Sequence, residues 1–225
     1  MQLSAALEII GIVAFSLVGV FVGIEYELDV FGIFVVALCS SLAGGVIRDL
    51  VLGIVPPTSF LHAEYVITVL ATVIVSLIIF KIFDKKLTKK SIRIIKSVVN
   101  VFDALGLGIF AVSGCQAAVN VGLGDNFILM IFVGTITGVG GGMLRDVLAG
   151  RKPIVLRKEI YALAAIIGSI LFYFIYDKID IRLATYLSAG CITLIRVLAS
   201  WKKLNFNYGV SSRHSSYVRR AAYFC

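Results

Sequence analysis

The same pattern of glycines, charges and prolines occurs twice in this chain, and a constant spacing separates the two copies. The first copy has Gly44-Gly45 and Arg48-Asp49, and the second has Gly141-Gly142 and Arg145-Asp146, an offset of 97 residues (141 − 44). Further matches keep this offset without a gap: Gly53/Gly150, Pro56/Pro153, Gly11/Gly108, Ile12/Ile109, Ala14/Ala111 and Ser16/Ser113. A gap-free match of this length indicates an internal duplication, so the two halves are expected to fold alike.

Long apolar runs determine the fold class. Hydrophobic residues make up 60% of the chain, charged residues only 15%, and the mean hydropathy is +1.01, which does not suit a water-soluble surface. The runs are unbroken rather than alternating with a period of two, which excludes a β-barrel and predicts an all-α polytopic membrane protein. A spanning helix needs about 20 apolar residues. We count seven such runs, beginning near Ser4, Val30, Tyr65, Ser97, Phe127, Ile160 and Leu183.

These crossings divide the chain into two three-helix repeats and a seventh transmembrane helix. The predicted boundaries are 1–83 for the first repeat, 84–96 for a basic cytoplasmic linker, 97–178 for the second repeat, 179–202 for the seventh helix and 203–225 for a cytoplasmic tail. The first crossing has no basic leader and carries Glu8, so we expect it to be retained rather than cleaved as a signal peptide. Because each repeat crosses three times, the second copy must be inverted, and inverted repeats usually form a substrate or ion path at their interface.

Lysine and arginine concentrate on one side of the predicted membrane. The basic loops follow the third, fifth and seventh crossings, whereas the opposite side has only Arg48, Lys178 and Arg182. Since positive loops stay in the cytoplasm, this pattern predicts a multi-pass protein of the cell membrane with its N-terminus outside and its C-terminus cytoplasmic. Topology therefore explains the net charge of +8 without nucleic-acid binding. The same basic face is a candidate contact for anionic lipid.

Small residues in the second and fifth crossings allow two interpretations. They recur at every fourth position, at Ala37, Ser41 and Gly45 and at Gly134, Gly138 and Gly142, a spacing that lets membrane helices pack closely. Adjacent glycines also destabilise a helix, by up to about 1 kcal/mol each relative to alanine, which predicts a kink or an unwound turn. Unwound carbonyls can coordinate a cation. On this second interpretation, the candidate pore residues are Gly44, Gly45, Gly140, Gly141 and Gly142.

Two Arg-Asp pairs, Arg48-Asp49 and Arg145-Asp146, follow these glycines inside the apolar segments. Ionisable residues at the centre of a membrane helix cost about 2.5 to 3.5 kcal/mol on insertion scales. A single pair is explained by arginine reaching the headgroups while aspartate pairs locally. Two pairs at equivalent positions predict gates or charged constrictions on an ion path.

Three other polar residues lie in the predicted spans. Asp103, near the cytoplasmic start of the fourth crossing, either attracts cations to an inner vestibule or faces interfacial water. Ser16 and Ser113 are weaker pore-lining candidates, because hydroxyls in apolar helices more often bond to their own backbone.

The sequence has no catalytic or metal-binding pattern. His62 and His214 have no second ligand at metal spacing, and three of the four cysteines lie in apolar spans, where cysteine behaves as a small hydrophobic residue. No nucleophile stands with a base and an orienting group. We therefore predict no enzyme activity, no metal and no cofactor.

The doubled Gly-Gly, Arg-Asp, Gly and Pro pattern in a three-plus-three-plus-one arrangement resembles the prokaryotic trimeric intracellular cation (TRIC) channels, a family also known by a glycine-transporter domain name. The resemblance covers roughly residues 5 to 200. It implies a homotrimer with a pore in each subunit, lined by the glycine-kinked second and fifth helices and permeable to potassium and other monovalent cations. A secondary transporter of a small zwitterion such as glycine is the alternative, although no obvious paired site for carboxylate and ammonium is present.

Overall fold

The computed structural model describes residues 2–83, 89–157 and 159–202, and these residues form helices and turns without a strand. The helices are α1 (Gln2–Glu25), α2 (Val30–Val51), α3 (Thr58–Leu61), α4 (Ala63–Phe83), α5 (Lys89–Asn120), α6 (Phe127–Leu148), α7 (Glu159–Ile175) and α8 (Ile181–Trp201). A short 3-10 turn, Ile154–Leu156, lies between α6 and α7. The prediction of an all-helical membrane protein is confirmed.

Six of the described helices, all but α3 and α7, are long and apolar enough to cross a membrane. Helix α7 has 17 residues, which at 1.5 Å per residue reach about 26 Å, less than the about 30 Å of a hydrocarbon core. The described residues thus contain six helices of spanning length and a shorter apolar one, where the sequence predicts seven crossings.

Helix α5 starts earlier than predicted. It has 32 residues and begins at Lys89, eight positions (97 − 89) before the expected start at Ser97. The end of the predicted linker 84–96 therefore forms the first turns of α5 and extends beyond the apolar stretch, where Lys96 Nζ donates to Glu25 Oε1 at 2.7 Å. Hydropathy alone misses such an extension because the added turns are basic. The predicted tail, 203–225, lies outside the described residues.

Helices α1 and α5 lie at the centre of the bundle. Helix α1 packs on α2, α4 and α5, and α5 packs on α6, α7 and α8. The rings of Phe15 and Phe110 stack at 5.3 Å between the two central helices. The start of α1 lies beside the ends of α2 and α5, and we call this the N-terminal end of the bundle. The start of α5 lies beside the end of α1, and we call this the C-terminal end.

Helices α2 and α6 cross at their glycines. A Cβ atom added to Gly44 would overlap the carbonyl oxygen of Thr137, and one added to Gly141 would overlap that of Ser40. Since Ser40 faces Gly141 and Gly44 faces Thr137, the two helices are antiparallel. Their ends therefore point to opposite ends of the bundle.

The predicted unwound turn is wrong. Both α2 and α6 continue as α-helix through Gly44-Gly45 and Gly140–Gly142, up to Val51 and Leu148. The physical reason is the crossing itself, because the backbones approach too closely at Gly44 and Gly141 for any side chain. The intrinsic weakness of consecutive glycines is overridden by tertiary packing.

Candidate functional site

A buried ion-pair cluster lies at the N-terminal end of the bundle, centred on Arg48 near the end of α2. The arginine is only 6% exposed. Its Nε donates to Asp49 Oδ1 at 2.7 Å, and its Nη1 donates to Ser113 Oγ at 3.0 Å and to Glu8 Oε1 at 3.4 Å. The guanidinium therefore ties α2 to α1 and α5.

Glu8 completes this first cluster. Its Oε1 also accepts from Ser113 Oγ at 2.7 Å, and its Oε2 accepts from the Tyr65 hydroxyl at 2.6 Å. The carboxylate thus joins side chains from α2, α4 and α5. Counting side chains alone, Glu8 is 20% exposed, whereas Arg48 is 8% and Asp49 0% exposed.

A second cluster lies at the C-terminal end, centred on Arg145 near the end of α6. Arg145 is fully buried, and its Nε donates to Asp146 Oδ1 at 2.9 Å. Its Nη1 donates to Asp103 Oδ1, on α5, at 3.0 Å. Asp146 Oδ1 also accepts from Arg151 Nη2 at 2.6 Å. This cluster is more tightly closed than the first, because every ion pair of Arg145 is 3.0 Å or shorter.

Helix α8 adds a further arginine to the second cluster. Arg196 Nη2 donates to Asp103 Oδ2 at 3.5 Å, and the guanidinium lies 4.4 Å from the centre of the Tyr161 ring. Cation–π contact of this kind stabilises a desolvated guanidinium by about 2 kcal/mol. Within the described residues, Arg196 Nε and the Tyr161 hydroxyl are buried without a hydrogen-bond partner.

Each repeated aspartate also fixes the loop that follows its helix. Asp49 Oδ2 accepts from the Thr58 backbone N–H at 2.7 Å, and Asp146 Oδ2 accepts from the Ile154 backbone N–H at 2.8 Å. Both loops turn at a glycine with positive φ, +73° at Gly53 and +69° at Gly150. The repeated glycine, aspartate and proline positions therefore build the same loop anchor twice.

The two clusters differ in charge. The first contains one guanidinium and two carboxylates, an excess of one negative charge. The second contains three guanidiniums and two carboxylates, an excess of one positive charge. Among the described residues, no group of three histidine, cysteine, aspartate or glutamate side chains is arranged to hold a metal ion. The chemistry available in both clusters is ion pairing and hydrogen bonding.

A polar cavity of about 180 Å³ adjoins the first cluster and reaches the N-terminal end of the bundle. A second cavity, of about 10 Å³, lies deeper and is close to the smallest size that holds one water molecule. Glu8 and Arg48 line both cavities. The polar residues around the larger cavity are Glu8, Arg48, Asp49, Thr58, Ser113, Gln116 and Asn120.

The remaining predicted site residues separate into two groups. Gly45 and Gly142 face the clusters, since a Cβ added to them would lie 3.9 Å from Arg48 Nη2 and 3.5 Å from Arg145 Nη2. Gly140 instead faces Ile47 and Gly44 in the helix crossing. Of the paired serines, Ser113 belongs to the first cluster, whereas Ser16 is buried and its hydroxyl has no partner among the described residues.

Sequence reasoning missed four residues of the clusters: Glu8, Tyr65, Arg151 and Arg196. Glu8 was considered only as an argument against a signal peptide. Glu8 in the first crossing corresponds to Asp103 in the fourth, because each pairs with the arginine of its own cluster. The separation of these two acids is 95 residues (103 − 8), so a search at the fixed offset of 97 does not find the pair.

Comparison with known proteins gives the family. A family model described as glycine transporter matches residues 5–81 and 100–177. The UPF0126 inner membrane protein YadS of Escherichia coli is 33% identical over 195 residues, covering 86% of this chain and 89% of the relative. The UPF0126 membrane protein YvgT of Bacillus subtilis is 34% identical over 165 residues, covering 73% of this chain and 77% of the relative.

Solved structures agree with these relatives. A prokaryotic TRIC channel crystallised in 0.5 M KCl superposes with a TM-score of 0.80 at 34% identity, over 90% of this chain and 98% of that chain. A TRIC trimeric intracellular cation channel orthologue from Rhodobacter sphaeroides superposes with a TM-score of 0.78 at 28% identity, over 91% of this chain and all of that chain. Both of these solved structures are TRIC channels. The chain therefore belongs to the TRIC channel family and has its all-helical, multi-pass membrane fold.

Proposed function

We propose that this protein is a channel for monovalent cations, permeable to potassium, with a path in each subunit lined by α2 and α6. The observation that carries the proposal is the pair of buried Arg-Asp clusters at opposite ends of the antiparallel α2–α6 crossing. One of them lines the polar cavity of about 180 Å³. Charged side chains inside membrane helices are expensive and mark ion paths.

The small residues of α2 and α6 support the same path. Gly45 and Gly142 leave room beside the two arginines, so the guanidiniums can reach Glu8 on α1 and Asp103 on α5. A path that contains fixed charges of both signs needs such room for a hydrated ion to approach them. The clusters then act as the charged constrictions at the two ends.

The proposed assembly is a homotrimer with seven crossings per subunit, arranged as two inverted repeats and α8. Helix α7 is the additional crossing in this scheme, despite its 17 residues. The antiparallel α2–α6 crossing and the match of one family model to two segments of the chain support the inversion. The cytoplasmic side is the C-terminal end in this scheme, since Lys96, Arg151 and the basic start of α5 lie there. Anionic lipid is the proposed contact of this basic end.

A transporter of a small zwitterion such as glycine is the second candidate. The family model is described as glycine transporter, and the larger cavity contains both a guanidinium, Arg48, and a carboxylate, Glu8. These are the two charges that would bind the carboxylate and the ammonium of an amino acid. Arg48 and Glu8 already pair with each other, however, which favours the channel.

Single-channel recording of the purified protein in planar bilayers, under a potassium gradient and with or without glycine, tests the two functions. Discrete steps that reverse near the potassium equilibrium potential are expected for the channel. The absence of current, together with saturable glycine uptake into liposomes that contain the same purified protein, would establish the transporter instead.

Asp146→Asn tests whether the clusters belong to the path. The exchange removes the negative charge that Arg145 and Arg151 share, and we expect potassium flux to fall by about tenfold, since losing a fixed negative charge about 10 Å away costs a cation about 1.7 kcal/mol at an effective dielectric constant of 20. Asp177→Asn, a matched change of an exposed aspartate, should leave the flux as it is. Equal fluxes from both variants would remove Asp146 from the path.

A further inference from the structure

Glu8 differs from every other carboxylate of the two clusters in how its charge is balanced. Asp49 accepts from Arg48 Nε at 2.7 Å and from the Thr58 backbone at 2.7 Å. Glu8 Oε1 accepts from Arg48 Nη1 only at 3.4 Å, and the same nitrogen also donates to Ser113 Oγ. Its two short contacts come from neutral hydroxyls, of Ser113 and Tyr65. The excess negative charge of the first cluster therefore resides mainly on Glu8.

The aspartates of the second cluster have no such surplus. Asp103 contacts the guanidiniums of Arg145 and Arg196, and Asp146 contacts those of Arg145 and Arg151. Both carboxylates are also nearly inaccessible, with side chains 4% and 1% exposed, against 20% for Glu8. An ion that enters from the N-terminal end meets Glu8 as an accessible carboxylate whose charge is incompletely balanced.

The position of Glu8 makes this charge decisive for an ion. Glu8 and Arg48 line both the cavity of about 180 Å³ and the deeper cavity of about 10 Å³. In the proposed path, an ion moving inward passes this pair, and the deeper cavity beside it has room for about one water molecule. Without Glu8, the passage would contain only the neutral Arg48–Asp49 pair.

We propose that Glu8 sets the preference of this path for cations over anions at the N-terminal end. The inference rests on the proposed channel function and adds a residue that determines selectivity. The Tyr65 and Ser113 hydroxyls hold the carboxylate in place without neutralising it, so they act as positioning groups. A fixed charge about 10 Å from an ion, at an effective dielectric constant of 20, lowers the energy of a cation by about 1.7 kcal/mol and raises that of an anion by the same amount, which corresponds to a preference on the order of 100-fold.

Glu8→Gln tests the proposal, because the side chain keeps its shape and its acceptor oxygen but loses the charge. Single channels are recorded in asymmetric KCl, and the permeability of potassium relative to chloride is taken from the reversal potential. We expect this ratio to fall by at least about tenfold in Glu8→Gln. Tyr65→Phe removes a hydrogen bond and no charge, so it should alter conductance while retaining the preference for potassium.

Glu64→Gln is the matched control at the same end of the bundle. Glu64 is exposed and pairs with His62, outside the first cluster, and its exchange should leave the permeability ratio unchanged. Ala117→Lys is a second variant that does not alter Glu8. Ala117 lines the larger cavity, so a lysine there should balance the carboxylate and lower the ratio as well. If Glu8→Gln does not elute as a folded protein in size-exclusion chromatography, the permeability ratio of Ala117→Lys tests the proposal instead.

The outcomes separate the two proposals. A wild-type protein that passes no current overturns the channel function and, with it, the role of Glu8. A wild-type protein that selects potassium, while Glu8→Gln or Ala117→Lys selects it equally well, overturns the role of Glu8 alone. A loss of selectivity in Glu64→Gln as large as in Glu8→Gln would also overturn it, because general surface charge would then explain the effect.

Discussion

Gly141→Ala should separate helices that now touch through their backbones. The added Cβ would overlap the Ser40 carbonyl oxygen and lie 3.0 Å from the Ser40 carbonyl carbon. Backbone atoms cannot rotate away as a flexible side chain can. Because a relaxed carbon–oxygen contact is about 3.3–3.6 Å, α2 and α6 would have to move apart by about 1 Å at their crossing.

The size of the effect follows from two opposing contributions. Overpacking a close-packed site destabilises by about 1–3 kcal/mol. Alanine is a better helix former than glycine by up to about 1 kcal/mol, which offsets part of this. A net loss of about 1–2 kcal/mol remains, and for a chain of this length each kcal/mol lowers the unfolding midpoint by about 2–4 °C.

Gly190→Ala provides the matched control for this experiment. Gly190 lies in α8, and a Cβ added there would meet nothing within 4 Å, so only the gain in helix propensity applies. Thermal unfolding of the detergent-solubilised proteins, followed by circular dichroism, should give a lower midpoint for Gly141→Ala and an equal or higher one for Gly190→Ala. A Gly141→Ala protein as stable as the wild type would refute the argument from close contact. If its flux were abolished as well, Gly141 would act as a hinge of α6.

Two further predictions concern the second cluster and its loop. Asp103→Asn leaves the buried guanidiniums of Arg145 and Arg196 without their shared carboxylate, so we expect a loss of about 3–5 kcal/mol in stability. The control, Asp125→Asn, changes an exposed aspartate and should unfold at the wild-type temperature. Equal midpoints for the two variants would show that the Asp103 carboxylate is not needed to stabilise the buried guanidiniums. Gly150→Ala meets no neighbour within 4 Å, but its φ of +69° should destabilise the protein by about 1–2 kcal/mol. An unchanged midpoint in the same unfolding experiment would show that the loop accommodates a side chain.

The sequence predicts the fold well because membrane-spanning helices must satisfy their own backbone hydrogen bonds. Long apolar runs therefore become helices almost regardless of their neighbours, and the starts of α2 at Val30 and of α6 at Phe127 agree with the predicted positions. The sequence did not predict the polar extension of α5 back to Lys89, because this segment has no apolar run. The unwound turn at the glycines was wrongly predicted for a different reason. Helix propensity describes an isolated helix, whereas Gly44 and Gly141 lie at a crossing that holds both backbones in place.

The candidate site was only partly predictable, because each cluster combines residues from distant parts of the chain. The repeat identified Arg48, Arg145 and their aspartates, but not which side chains approach them. Tyr65 and Tyr161 both lie beside a cluster, yet they are 96 residues apart (161 − 65) and so are shifted from the common offset. Each tyrosine is the third residue of its helix, in α4 (Ala63–Phe83) and α7 (Glu159–Ile175), so the shift arises in the segment before the helix.

The unequal charges of the two clusters arise outside the repeated motif. An internal duplication alone would give both ends one arginine and one aspartate with the same surroundings. Arg151 occupies the position that corresponds to Ile54 in the first copy (151 − 97), which adds one positive charge to the second cluster. Helix α8, which has no counterpart in the repeat, adds Arg196. Both clusters contain one further acid, Glu8 or Asp103, but only Glu8 is left incompletely balanced. The duplicated framework thus has a cluster with excess negative charge at the N-terminal end and a more tightly paired cluster with excess positive charge at the C-terminal end, and in the proposed path this difference gives the two ends distinct roles.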